Sequence, residues 1–101
     1  MNTSTFGEKI RQLREDRKML LRELAAGLQM DTALLSKIER NERRAKREQL
    51  AILSTLLHIS EQELLTLWLA NQLYDILKDE ENATAALKVA EKQIEYIRKI
   101  K

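Results

Sequence analysis

Apolar positions in the first part of the chain recur with the period of an α-helix. Phe6, Ile10 and Leu13 follow one another at intervals of four and three, and Lys9, Arg11, Gln12 and Arg14 fall off that stripe. Such spacing puts the apolar side chains on one helix face. Thr5-Phe6-Gly7-Glu8 reads as a capping box: the Thr5 hydroxyl accepts from the Glu8 amide, and the Glu8 carboxylate reaches back. A first helix is predicted over 6–17. A second, over 21–28, turns Leu24, Ala25 and Leu28 inward. Residues 29–31 break the pattern. Asp31 is a good N-cap for a third helix over 32–40, with Leu35 and Ile38 facing the core. Asn41 stands where that helix needs a left-handed residue to stop. A fourth helix over 47–57 buries Leu50, Leu53 and Leu57.

Ser60-Glu61-Gln62-Glu63 is a second capping box, and it opens a longer apolar segment. Leu64, Leu65, Leu67, Trp68, Leu69, Leu73, Ile76 and Leu77 cover more of a helix than one core-facing stripe of ordinary width. After a break at 78–82, Ala83, Leu87, Ala90, Ile94 and Ile97 recur at spacings of 4, 3, 4 and 3, a heptad seam flanked by Val89, Tyr96 and Ile100. The expected architecture is all-α.

Composition strengthens that reading. The chain of 101 residues has no Pro and two Gly, too few for a fold rich in strands and loops. It has no Cys, which removes disulfides and thiolate metal sites. No apolar run reaches the roughly 20 residues needed to span a bilayer, and "MNTSTFGEKI" lacks the apolar core of a signal peptide. A soluble, cytoplasmic protein with no membrane partner is expected. Asp79-Glu80-Glu81 lacks the glycine and ligand spacing of a cation loop and reads as a charged helix junction, so no metal is expected. His58 stands alone and reads as a helix-end residue. No catalytic constellation and no phosphate-cradling glycine loop is present, so neither an enzyme nor a cofactor is expected.

Charge changes the picture more. The net charge is +2, but residues 1–60 hold 12 Lys/Arg against 8 Asp/Glu, and residues 61–101 hold 6 against 8. The excess peaks after the third helix, where Arg40, Arg43, Arg44, Lys46 and Arg47 fall within eight positions. A local basic run of this kind is an electrostatic footprint for nucleic acid. The second and third helices, with the short turn between them, form a helix-turn-helix candidate. Thr32, Ala33, Ser36 and Lys37 give the third helix an outward face of small or polar residues suited to a major groove, and its N-terminus offers amides to phosphate.

From Phe6 to about Leu67 the chain resembles the XRE family, the helix-turn-helix domain of phage-repressor-like regulators. "LLSKIERNERR" is similar to that family's run of apolar–Ser–x–x–Glu–x–Gly after the turn. The resemblance implies a five-helix DNA-binding domain over 1–67, and the surplus apolar surface and heptad seam that follow lead to the expectation of a C-terminal helical dimerisation extension over 68–101 packed on it. The resemblance also implies that Thr32, Ala33 and Lys37 meet base edges, that Ser36 lies close to phosphate, and that Arg40, Arg43, Arg44, Lys46 and Arg47 run along the DNA backbone. It also implies that Arg14 and Glu39 pair between the first and third helices. There are departures. Leu20 and Leu21 stand where family members often carry Ser/Thr-Gln, Gln29 replaces the turn glycine, Asn41 replaces the glycine after the third helix, and the basic loop lacks a proline.

The function implied is that of a homodimeric, sequence-specific transcription regulator on a pseudo-palindromic site of double-stranded DNA, of the compact repressor or restriction–modification controller type. Trp68, Leu69, Leu73, Ile76, Leu77, Leu87, Ala90, Ile94 and Ile97 are the expected dimer interface. The alternatives are that the last helix folds back onto its own protomer, and that the apolar helices bind a different protein, as in an antitoxin or adaptor.

Overall fold

The computed structural model describes residues 4–100. Six helices follow one another: α1 (Phe6–Asp16), α2 (Leu21–Gly27), α3 (Thr32–Glu39), α4 (Gln49–Leu57), α5 (Glu61–Leu77) and α6 (Ala83–Ile100). No strand occurs among the described residues. The chain divides into two compact units, Met1–Asn71 and Gln72–Lys101, with the boundary inside α5.

The first unit is built as the apolar spacing requires. Ile10, Leu24, Leu35, Leu50, Leu53, Leu57 and Leu64 lose all or nearly all contact with water. Burying each such side chain is worth roughly 1.5–3 kcal/mol relative to leaving it exposed. α3 packs on α1 and α2, and α4 packs on the same pair. α3 is thus held from behind by two helices while its outer face is left open.

Local chemistry sets where the helices start and stop. Thr5 Oγ1 accepts from the Glu8 amide at 3.3 Å, and Glu8 Oε1 accepts from the Thr5 amide at 3.1 Å, the reciprocal box that starts α1. Asp31 starts α3 by accepting from the Leu34 amide at 2.7 Å. Ser60 Oγ accepts from the Glu63 amide at 3.0 Å and starts α5. At Leu20 a side chain cannot accept, and the cap is one-sided: Glu23 Oε1 takes the Leu20 amide at 2.7 Å. The stops are unusual. Lys18, Gln29, Asn41 and His58 all have positive φ, between 53° and 62°. Each follows one of the first four helices, in the left-handed region that glycine normally fills.

Two expectations need correction here. α4 begins at Gln49 rather than at 47, because Arg47 and Glu48 belong to a turn in which the Gln49 amide donates to the Lys46 carbonyl at 2.9 Å. The N-terminus of α3 is not a set of free amides either, since the Asp31 carboxylate takes up the Leu34 amide and places negative charge at that end.

The second unit holds the end of α5, the turn at 78–82 and α6. No residue of α6 is buried; Ala83 and Ala90 are half-buried, and Leu87, Val89, Ile94, Tyr96, Ile97 and Ile100 are exposed. No helix among the described residues is long and apolar enough to cross a membrane.

Candidate nucleic-acid interface

α3 divides its residues sharply. Leu35 and Ile38 are buried, while Thr32, Ala33 and Lys37 are exposed and Ser36 is half-buried on the open side. The loop after α3 carries Arg40, Arg43, Arg44, Lys46 and Arg47, all exposed. Chain order therefore sets a run of exposed cations directly after a helix with an open face. Arg40 is partly occupied: its Nε lies 2.8 Å from Glu42 Oε2 in an exposed pair. An ion pair this wet is worth at most about 1 kcal/mol, so a phosphate can displace it at small cost.

One charged residue in α3 faces inward. Glu39 is 6% exposed, and its carboxylate receives two hydrogen bonds from Arg14 of α1, Nε to Oε2 at 2.8 Å and Nη2 to Oε1 at 3.1 Å. Arg14 also donates Nη1 to the Met19 carbonyl at 2.9 Å. One guanidinium therefore ties α1, the turn into α2 and the end of α3. The hydrogen bond to Glu39 holds the Arg14 pKa above its ordinary value, against the opposing pull of partial burial.

The C-terminal end of α3 is fixed a second time. Gly7 of α1 lies so close to it that a Cβ there would collide with the Ile38 carbonyl and come within 2.6 Å of the Glu39 carbonyl oxygen. Asn41 completes the junction: its Oδ1 accepts from the Gly7 amide at 3.1 Å, and its Nδ2 donates to Thr5 Oγ1. Asn71 of α5 accepts from the Phe6 amide at 3.2 Å. The first amides of α1 are thus taken up by Asn71, Asn41 and Thr5.

A family model described as Helix-turn-helix matches residues 10–64, more than half of the chain. The chain belongs to the XRE-type helix-turn-helix family. Neither a curated protein nor a solved structure matches it. The matched segment contains α2 and α3, which are joined by a short turn with Gln29 at φ 56°. Members of this family are DNA-binding transcription regulators.

Trp68 stands differently from the sequence expectation. Its indole is half-buried against the core of the first unit, and its Nε1–H donates to the Ala45 carbonyl at 2.8 Å. It therefore serves the packing of the helix-turn-helix domain with part of its surface. Of the other expected interface residues, Leu69, Leu73, Ile76, Leu87, Ile94 and Ile97 are exposed, and Leu77 and Ala90 are half-buried. Asn71 and Gly7 had no predicted role at this site, and Asn41 was expected only to end α3. Ala45, the one apolar residue inside the basic run and a buried one, was the signal that this loop has an inside.

Proposed function

We propose that the protein is a homodimeric, sequence-specific transcription regulator that lays α3 in the major groove of a pseudo-palindromic site, acting in the cytoplasm as a compact repressor or restriction–modification controller. Thr32, Ala33 and Lys37 read base edges, Ala33 through contact with a thymine methyl. Ser36, Arg40, Arg43, Arg44, Lys46 and Arg47 grip phosphate. The observation that carries the reading is the open face of α3, with exposed cations on the loop that follows it, in a chain of this family. Phosphate contacts supply affinity and base contacts supply choice.

Selection of bound duplexes from a random library, read together with salt titrations, tests these roles. Arg43→Ala or Arg47→Ala is expected to weaken binding to all sequences and to lower the magnitude of the salt slope by about one. Lys37→Ala is expected to relax preference at one or two base pairs. The reverse pattern would sink the assignment.

A second reading draws on the bare apolar face of α6: a module whose C-terminal helices bind a different protein. A purified chain that stays monomeric and binds duplex DNA only weakly supports that reading over the first.

A further inference from the structure

The basic loop is not held by its cations. Between the turns at its two ends, its backbone is held by side chains at the peptide plane joining Ala45 to Lys46. On one side of that plane the Ala45 carbonyl accepts the Trp68 indole N–H at 2.8 Å. On the other, the Lys46 amide donates to Gln49 Oε1 at 2.8 Å. Ala45 itself is 3% exposed, while its neighbours Arg44 and Lys46 are exposed. A peptide unit is rigid and planar. Fixing both its poles fixes the plane, and with it the directions in which the chain leaves toward Arg44 and Arg43 on one side and Lys46 and Arg47 on the other.

We infer that Trp68 and Gln49 form a clamp on the Ala45–Lys46 peptide and act as positioning residues for the phosphate-gripping loop. The inference rests on the proposed DNA-binding role of that loop. Neither side chain needs to touch nucleic acid. Four long cationic side chains on a free loop would lose conformational entropy on binding, and a loop already set in place loses less. The buried part of an indole also needs a partner for its N–H, so the bond from half-buried Trp68 to Ala45 satisfies the ring while it orders the loop. Trp68 belongs to α5 and Gln49 is the first residue of α4, so the peptide is tied to two helices of the first unit. Trp68 lies beyond the segment matched by the family model, which ends at residue 64.

The test is DNA affinity as a function of salt for the full chain, on a site taken from the library selection. Trp68→Phe keeps an aromatic ring and removes the donor. Gln49→Leu removes the acceptor, and Gln49→Glu restores one. The expected result is binding about fivefold to tenfold weaker in Trp68→Phe and Gln49→Leu, the size of one lost hydrogen bond. The salt slope should fall in magnitude by about one or two, because misplaced cations release fewer counterions. Gln49→Glu should recover the slope more fully than Gln49→Leu. A variant that is merely less stable binds as a smaller active fraction with the slope unchanged, so the slope separates the two effects. If Trp68→Phe does not fold, the Gln49 pair decides alone. Wild-type affinity and slope in folded Trp68→Phe and Gln49→Leu overturns the clamp and leaves the DNA-binding role standing. A wild type with no salt-dependent binding to any duplex overturns the role on which the clamp rests.

Discussion

Arg14 gives up most of its contact with water, to 12% side-chain exposure, in order to reach Glu39 at 5%. Two ions taken out of water on this scale depend on each other. Deleting one leaves the other buried and unpaired, at a cost of about 3–5 kcal/mol for a fully buried pair. Glu39→Ala and Arg14→Ala are each expected to lower the melting temperature strongly and to weaken DNA binding, since α3 loses its tie to α1. Equal melting curves for wild type and variants would remove the pair from the account. Glu8 acts on a different axis. Hydrogen bonds from Thr5, the backbone amide first and the hydroxyl second, hold its carboxyl below the ordinary carboxylate value. A depressed folded-state pKa means stability that is fully present above the unfolded value and is lost as pH falls through the folded one. The start of α1 should therefore loosen on acidification below the ordinary carboxylate range. Glu8→Gln should flatten that acid limb of a stability–pH profile, with little change above it.

At the scale of elements, α1 and α3 meet backbone to backbone, and Gly7 is the reason they can. A methyl group at that position must push against two carbonyls that belong to α3 itself, and neither can swing away as a side chain could. Gly7→Ala is expected to cost at least the ~1–3 kcal/mol of ordinary overpacking. It should also shift α3 enough to loosen DNA binding in the surviving folded fraction. A Gly7→Ala protein with wild-type melting and affinity would mean that the junction yields freely. The helices themselves were legible because their apolar stripes and caps are local: Phe6, Ile10 and Leu13, or Asp31 before α3, say enough without the rest of the chain. The left-handed stop at Asn41 was legible from where α3 must end, and that at Gln29 from the turn glycine it replaces. Those at Lys18 and His58 were not read from the sequence: Lys has no preference for that conformation, and the more tolerant His58 was read only as a helix-end residue. His58 ends α4 and rests its Nε2 3.3 Å from Arg17 Nη2. The role of Trp68 was illegible for a related reason. Its partner is a backbone carbonyl 23 residues away, and a carbonyl leaves no mark on the sequence.

At the scale of the molecule, the open question is what covers the apolar surface of the last helices. In the first unit Leu69 is exposed; in the second Leu73, Ile76, Leu87, Ile94 and Ile97 are, with Ile76 at 70%. A protein that stays monomeric seldom leaves so many large aliphatic side chains in water on neighbouring turns. The spacing of Leu87, Ala90, Ile94 and Ile97 is that of a helix built to meet another helix. The small Ala83 and Ala90 on that seam permit close approach. A second copy of the chain supplies the same seam, and a two-fold axis makes one patch complementary to itself. Two recognition helices related in this way should lie about 34 Å apart, one turn of B-DNA, which is what a palindromic site demands. Sedimentation at micromolar concentration is expected to give a dimer for the wild type. The Ile76→Asp, Ile94→Asp double variant should be a folded monomer, because these two exposed side chains contribute nothing to the core of the first unit. The variant should bind a palindrome no better than a half-site, whereas the wild type should prefer the palindrome by a wide margin. A wild type that sediments as a monomer and binds a half-site as tightly as the whole would rule the dimer out and leave the apolar face to a different partner.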